Sequence, residues 1–411
     1  MLIVVYMTSY LDRQILSILL PQIKAEFKVS DTYLGLLTGF AFAVFYTTLG
    51  IPLARMADRG SRVNLLAICI ASWSLMTALC GTALTFVQLT LARIGVGVGE
   101  AGCNPSAHSL IADYFPFEKR AFALSAYATG VPLGSLLGLA LGGWLGETYG
   151  WRVAFIAVGL PGLLLAVVVK MVLKEPARGK VDGIRDEDAP GMLQTFRYLW
   201  RAKSFRGLCA ASAADAFVGY GLLLWLPTYL IRSFGLGPSE IGLRLGIMFG
   251  IAGVIGALGA GLLTDRLGKR DRRFYCLMPM IVYGIALVGN VLVYTSQSVS
   301  ATFALLIVPL IVLPAGGGPL YAATQAIAPV RMRATAAALL LLTTNLIGLG
   351  LGPAFVGLAS DLLAPEYGDS SLRYAMLIIS SSYIVAMLMA YVASRFFITD
   401  LKKVDAGYNP G

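Results

Sequence analysis

The sequence predicts an all-α membrane protein with twelve transmembrane helices in two pseudo-symmetric six-helix bundles. Three observations lead there. Of the 411 residues, 57% are hydrophobic and 13% charged, with mean hydropathy +0.77, whereas a soluble domain carries about a quarter charged residues. The apolar residues fall in long runs, and at about 20 residues per span plus short loops the length fits twelve crossings. The loops between the runs also repeat. Asp58-Arg59 after the second span recurs as Asp265-Arg266 after the eighth, 207 residues on. Pro116, Arg120 and Ala121 after the fourth recur after the tenth as Pro329, Arg333 and Ala334.

Taken in order, the expected spans are 2–22, 32–54, 63–84, 87–112, 121–146 and 151–173 in the first half. The second half gives 205–232, 239–263, 274–296, 300–327, 334–360 and 373–397. Residues 1–173 thus form one bundle, 174–204 a linker, 205–397 a second bundle and 398–411 a tail. Net charge is +10, and its placement argues against nucleic acid as a partner. Arg55, Arg59, Arg62, Lys119, Arg120, the stretch from Lys170 to Arg206, Arg266 to Arg273, Arg331, Arg333, Arg395, Lys402 and Lys403 fall in alternate loops. The other loops hold only Lys24, Lys28, Arg152, Arg232, Arg244 and Arg373. By the positive-inside rule the rich set, both termini included, is cytoplasmic. The compact loops suggest a bacterial inner membrane.

The linker begins with a charged stretch (RGKVDGIRDEDAPG) expected to be mobile. It continues with Met192, Leu193, Phe196, Leu199 and Trp200 on one helical face and Arg197, Arg201 and Lys203 elsewhere. That pattern suits a basic amphipathic helix on the inner leaflet, or equally a connecting helix packed on the bundle. The five cysteines are scattered through apolar runs, so no disulfide framework, metal site or cofactor is implied. The first run opens at Met1 without a basic region, and Asp12-Arg13 within it excludes a signal-peptide core. It reads as a true span from which a cytoplasmic tail is missing.

Two six-helix halves in the same orientation are a parallel repeat of the kind transporters use. The stretch GLLTDRLGKR (261–270) resembles the signature loop of the major facilitator superfamily. The first-half copy departs from it: Ala54 replaces the leading glycine and Gly60 is displaced by one position. More narrowly, YLDRQILSILLPQIKAEF (10–27), GVGEAGCNPSAHSLIADYFP (97–116) and KRAFALS (119–125) resemble the spinster branch. Neighbouring organic-anion symporters share the Asp-Arg of the first helix. The superfamily resemblance implies a cavity lined by the first, fourth, seventh and tenth helices. The branch implies export of sphingosine phosphate and lysophospholipids, with proton coupling in some members.

Charged residues present in only one half are the candidates for solute and proton chemistry. Asp12, Arg13, Arg93 and Glu100 have the apolar counterparts Val218, Gly219, Leu306 and Leu313. Each charge at the bilayer centre costs about 2.5 to 3.5 kcal/mol even on lenient insertion scales, so each must face a partner or a wet cavity. Arg93 and Glu100 share one helical face, roughly 10 Å apart along the axis. Gly95, Gly97, Gly99 and Gly102 let a neighbouring backbone or a ligand approach there. A carboxyl whose neighbours change during transport can load and release a proton, so Glu100 is expected to be the main carrier, supported by Asp12. The competing reading is a permanent ion pair of Glu100 with Arg93 or Arg13 that only locks helices together.

Arg13 or Arg93 offers a fork suited to a phosphate or carboxylate headgroup. Phe217, Tyr220, Leu224, Trp225, Leu313 and Tyr321 would supply an apolar wall for a lipid-like tail, or simply pack the helices. His108 is a proton relay or a satisfied polar residue, and Asp215 a cavity residue or a packing polar group. Asp58, Arg59, Arg62, Asp265, Arg266, Arg270, Arg120 and Arg333 sit at expected cytoplasmic helix ends and form a gate of breakable latches, or merely set topology. Asp113 and Glu118 join that network. Glycine and proline clusters at 130–134, 316–319 and 348–357 mark closely packed or kinked places, with local unwinding at Gly316 to Pro319.

The expected function is proton-coupled movement of an amphipathic lipid-like or organic-anion substrate, of lysophospholipid or sphingosine-phosphate class, by a monomer using alternating access. The alternative is a drug/proton antiporter or a small organic-anion symporter. One histidine, no metal cluster and no phosphate loop leave an enzyme without a catalytic constellation.

Overall fold

Runs of Leu, Ile, Val and Ala can lie in hydrocarbon only if every backbone group is paired internally, and all regular structure among the described residues is helical. The computed structural model describes residues 1–176, 192–329 and 332–405; the side chains of Asp58, Phe117, Glu118, Ala121, Met192, Leu193, Ala334 and Asp405 lie outside the description. Most of the charged half of the linker and Arg331 therefore also lie outside the described residues.

The helices of the first half are α1 (Leu2–Phe27), α2 (31–59), α3 (Arg62–Cys80), α4 in two pieces (Phe86–Glu100 and Cys103–Tyr114), α5 (117–149) and α6 (Trp151–Val172). The linker helix is α7 (Met192–Arg201). Then come α8 (Lys203–Phe234), α9 (Pro238–Gly268), α10 (Phe274–Thr295), α11 in two pieces (Val299–Val312 and Gly317–Ala326), α12 (333–367) and α13 (371–405). Ten stretches are long and apolar enough to cross a membrane. One of them, Thr335–Val404, is 70 residues long and holds both α12 and α13. With the interrupted α4, the described residues provide the twelve expected spans.

The breaks in α4 and α11 fall at matching places of the repeat. Residues 101–102 interrupt the first, and residues 313–316, about 213 positions on, interrupt the second. The second was expected from its glycines and proline; the first was not, because Ala101-Gly102 between apolar turns reads as continuous helix. Wide π-helical turns at Leu36–Phe40 in α2 and Thr344–Leu349 in α12 add further irregularities, of a kind frequent at functional places.

The described residues divide into two compact units. One contains residues up to 176 together with Leu224–Gly250; the other contains 192–223 and everything from Ile251 on. Within the first unit, α5 lies on α1 through glycines at every fourth position, 130, 134, 138, 142 and 146. A Cβ on Gly134 would lie 2.3 Å from the Met7 carbonyl oxygen, and one on Gly138 would lie 2.7 Å from that of Leu11. These are backbone-to-backbone contacts that small residues alone permit. On another face of α5, a Cβ on Gly143 would lie 2.3 Å from the Pro238 carbonyl oxygen, and a Cβ on Gly242 of α9 would lie 2.1 Å from that of Leu139.

At the basic end of this unit, buried Arg62 opens α3 and collects partners from two segments, α4 and the stretch after α6. It pairs with Asp113 of α4 and donates to Ser109 Oγ at 3.0 Å. It also reaches Glu175 Oε1 at 2.7 Å and the Pro176 carbonyl at 3.0 Å. Glu175 Oε2 accepts from the Val63 backbone N–H and from Ser61 Oγ, both at 2.9 Å, and so caps the start of α3. In the second unit, α7 packs on the first piece of α12, with Leu199 and Thr195 fully buried and the stacked Phe196 and Trp200 rings exposed. The helix is thus seated on protein while leaving an aromatic pair outside.

Two outcomes follow from this packing. Gly134→Ala should lose about 1 to 3 kcal/mol, the cost of overpacking a closed contact. Gly259→Ala, where a Cβ meets nothing within 4 Å, should leave the melting temperature unchanged or slightly raised; thermal unfolding in detergent compares the two. Partial burial pushes the Glu175 carboxyl up, but the Val63, Arg62 and Ser61 donors outweigh it and hold the group below the ordinary glutamate value. A depressed folded value means the contribution is complete above the unfolded value and fades as pH falls through the folded one. Glu175→Gln should therefore lower the melting temperature at neutral pH and converge with the parent in acid, and a difference independent of pH would reject the assignment.

Candidate functional site

The first piece of α4 is fixed at its start by a capping box, in which Thr85 accepts from the Gln88 N–H and Gln88 reaches back to the Thr85 N–H. Its glycines face neighbouring helices. A Cβ on Gly97 would lie 2.9 Å from the Phe42 carbonyl oxygen of α2, and one on Gly99 2.6 Å from the Trp73 nitrogen of α3. Of the two expected uses of these glycines, close helix approach is the one seen, and it draws α2 and α3 tightly around Glu100.

Glu100, 1% exposed, ends this piece and points at α1. Its Oε2 accepts from Arg13 Nη2 at 2.6 Å, from Arg13 Nε at 2.7 Å and from Ser9 Oγ at 2.8 Å. Its Oε1 is buried without a hydrogen-bond partner. All donors therefore converge on one oxygen and leave the other bare. Asp12, on a different face of α1 as its neighbouring position requires, is also 1% exposed. Its Oδ2 accepts from Thr77 Oγ1 of α3 at 3.1 Å while Oδ1 has no partner. Arg93 is closed in at 2% exposure and donates to the Asp12 backbone carbonyl at 3.4 Å. The four charges thus gather within one unit. The ion pair is Arg13 with Glu100, and Arg93 serves the backbone beside Asp12.

Arg13 keeps 13% of its side chain exposed and sits among three rings, 5.1 Å from Tyr10, 4.7 Å from Phe42 and 4.8 Å from Tyr46, measured to the centroids. Such cation–π contacts, about 0.5 to 2 kcal/mol each, hold a guanidinium without neutralising it. Beyond the rings, Asn104 Nδ2 donates to the Tyr46 hydroxyl at 3.1 Å, and the Tyr127 hydroxyl donates to Asn104 Oδ1 at 2.7 Å. Tyr127 stacks on Tyr6 at 4.4 Å, and exposed His108 meets its ring edge-on at 5.5 Å. Sequence reasoning did not single out Ser9, Thr77, Tyr46, Asn104 or Tyr127. Ser9 was detectable, because it lies one helical turn before Arg13 and must share its direction.

At the other end of the same unit is a second cluster that was likewise missed. Asp31, 2% exposed at the start of α2, accepts from Arg232 of α8 through both guanidinium nitrogens at 2.6 Å and from Lys24 of α1 at 2.7 Å. Nearby, Glu147 of α5 accepts from the Ser239 N–H at the start of α9 at 2.8 Å. The signal available was the Ser-Asp and Ser-Glu helix starts of the two halves. They differ in use, since Glu240 pairs with Arg244 of its own helix at 2.5 Å.

Among the expected gate residues, Arg62 holds the network described above. Arg120 donates to the Ala112 carbonyl at 2.7 Å, and its counterpart Arg333 to that of Ala328 at 3.4 Å, so both anchor the turn that precedes their helix. Asp265 accepts from the Tyr275 hydroxyl at 3.0 Å. Arg59, Arg266 and Arg270 are exposed, and the Asp58 side chain lies outside the described residues. Of the expected apolar wall, Phe217 is half-buried against Phe355, Tyr220 is half-buried and Tyr321 is 43% exposed. Trp225 differs from these: it is fully buried in the first unit, under the Arg232 guanidinium at 6.0 Å.

Comparison with known proteins gives a consistent picture. Residues 2–353 match the family described as Major Facilitator Superfamily. An MFS-type efflux pump of Mycolicibacterium smegmatis is 32% identical over 395 residues, covering 96% of this chain and 91% of that protein. The sphingosine-1-phosphate transporter SPNS2 of Danio rerio is 28% identical, covering 98% of this chain and 84% of that protein. The crystal structure of a bacterial homologue of the human lysosomal transporter spinster, inward-facing and unoccupied, superposes with TM-score 0.88 at 31% identity, covering 97% and 96% of the two chains. The helices, the repeat and these likenesses agree that the chain is a multi-pass membrane protein belonging to the major facilitator superfamily, similar to its spinster members and a transporter rather than an enzyme.

Proposed function

We propose that the chain is a proton-coupled secondary transporter for an amphipathic lipid-like or organic-anion substrate, of lysophospholipid or sphingosine-phosphate class, acting by alternating access. The observation that carries this reading is the Glu100–Arg13 pair. One carboxyl oxygen takes three donors, the other takes none, and the arginine keeps an exposed edge. A proton arriving on Glu100 discharges the carboxylate and releases Arg13 from a pair whose disruption otherwise costs about 3 to 5 kcal/mol. The freed fork then accepts a phosphate or carboxylate headgroup. Asp12, whose bare oxygen adjoins the same helix, is the supporting proton site, and closed-in Arg93 is a fixed counter-charge beside it. Phe217, Tyr220 and Tyr321 supply apolar contacts for a tail.

The two bundles, 1–173 and 205–397, are the working halves. Both termini are cytoplasmic by the placement of basic residues, and the membrane is a bacterial inner membrane. Asp31 with Arg232 and Lys24 latches the outer end, whereas the Arg62, Arg120, Arg333, Asp265 and Arg266 groups belong to the inner end. The name of the Mycolicibacterium relative supports the alternative of a drug/proton antiporter. Ranking lysophospholipids, sphingoid phosphates, small organic anions and cationic dyes by ligand-induced thermal shift separates the two readings.

In proteoliposomes Glu100→Gln should still bind the selected ligand but no longer accumulate it when a pH difference is imposed; full proton-driven accumulation would refute the carrier role. Arg13→Lys should weaken an anionic ligand about tenfold, the loss of one charge-assisted bond of the fork, and unchanged affinity would argue against bidentate recognition. Asp31→Asn should shift the outer latch toward the open form by about 1 to 3 kcal/mol. A single cysteine at Val29 reads this as faster labelling by a water-soluble maleimide. All five native cysteines are buried, so the parent gives a low background.

A further inference from the structure

The linker helix α7 sorts its side chains into three stripes, each made of residues one turn apart and each about 100° further round the axis than the one before. Thr195 and Leu199 are fully buried and form the stripe turned to the protein. Phe196 and Trp200 are 37% and 45% exposed, and their rings stack with centroids 5.3 Å apart. Arg197 and Arg201 make the third stripe and are exposed on the far side of the aromatic pair. The sequence pattern groups Leu199 with the two rings; the structure separates them, giving Leu199 to the protein and leaving the rings outside. Protein, then rings, then guanidinium groups is the order of a helix lying along a bilayer, with its rings at the acyl boundary and its cations at the phosphates.

The helix is held in that attitude. Ala202 alone separates α7 from α8, and its N–H donates to the Leu199 carbonyl at 3.0 Å. The turn that follows is pinned from α13. Asp400, 5% exposed, accepts from the Ser204 N–H at 3.1 Å and from Ser204 Oγ at 2.7 Å. A carboxylate there satisfies a donor that the start of α8 cannot pair within its own helix. Its other oxygen accepts from Lys403 at 2.8 Å. The same junction places Lys203 over the Phe396 ring of α13, 4.8 Å from its centroid. Arg197, Arg201, Lys203, Arg206, Lys402 and Lys403 are exposed around the corner. The one described carboxylate of residues 192–206 and 396–405 is Asp400, which is already engaged. An excess of cation therefore stands where α8 enters its apolar run and α13 leaves its own, which is the level of lipid headgroups.

We propose that this corner is a binding site for an anionic phospholipid. The forks of Arg197 and Arg201 take the phosphodiester, Lys203 adds charge at the foot of the corner, and the upper part of an acyl chain lies against Phe196 and Trp200. A zwitterionic headgroup brings the same phosphate with a cation of its own and gains less from the patch. An acidic peptide would answer the charge but not the rings that adjoin it at the bilayer surface.

The test reads Trp200 in the full chain, reconstituted in phosphatidylcholine vesicles with a minor fraction of lipid brominated on the acyl chain, either phosphatidylglycerol or phosphatidylcholine. Bromine quenches indole fluorescence on contact, and the part of the emission that Trp200→Phe removes is the Trp200 signal. Brominated phosphatidylglycerol should quench that part with about ten- to thirtyfold preference over brominated phosphatidylcholine, since each cation near an anionic surface contributes about fivefold. Arg197→Gln combined with Arg201→Gln should remove the preference. Lys269→Gln combined with Arg272→Gln, exposed charges of the turn between α9 and α10, should keep it. Equal quenching by the two lipids would overturn selective binding, and a preference that survives the arginine double variant would overturn the residues assigned. Absence of quenching by either lipid would overturn the site altogether and mean that protein covers the rings. None of these readouts involves a transported solute or a proton, so they stand apart from the reading of Glu100.

Discussion

A carboxylate surrounded by hydrocarbon must be answered by donors or by a proton, and the architecture of the first unit is arranged around giving Glu100 both options. Three donors reach one of its oxygens and none reaches the other. The glycines of α4 exist where α2 and α3 must press inward to keep water out. The rings of Tyr10, Phe42 and Tyr46 surround the Arg13 cation and hold it in place beside its acid. Asn104 in turn fixes Tyr46, and its position just past the break in α4 is what turns its amide toward both tyrosines. Each of these features would be a defect in a helix built only for stability.

The repeat makes the departures informative. Duplicated features, such as Arg120 and Arg333 each tying down the turn before its helix, belong to the scaffold. So do the paired breaks of α4 and α11. What is not duplicated is the chemistry: acids and arginines in one half, and Val218, Gly219, Leu306 and Leu313 at the matching positions of the other. Asp31 and Glu240 show the same principle on a smaller scale. Both open the second helix of their half, yet one captures an arginine 201 positions away and the other its own i+4 neighbour.

Hydropathy and the loop repeat made the helices and their pairing into halves legible, because a span must be long and apolar whatever it packs against. The buried charges were legible for the same reason: in hydrocarbon their cost makes them stand out. Which charge meets which was not. Arg93 and Arg13 were equal candidates for Glu100, and only the rotation of α1 against α4 selects Arg13. Trp225 read as a wall residue because an aromatic side chain carries no mark of which way it faces, and it lies buried beneath Arg232. The break after Glu100 was invisible, since alanine and glycine between helical turns specify no stop. Arg62 was expected to act as a latch, and it pairs with Asp113 and Glu175, two residues on its own side of the linker.

At Gly134 and Gly138 helix α5 meets the bare backbone of α1, and at Gly143 it meets the bare backbone at the start of α9. Contacts of that kind contain no side chain that can change rotamer to absorb a displacement. A shift of α1 by even a fraction of an ångström must therefore be carried whole into the start of α9, as through a rigid connecting rod. The helix without a single charge over most of its length thereby becomes a stiff link, inside the first unit, between the helix that carries Asp12 and the start of α9.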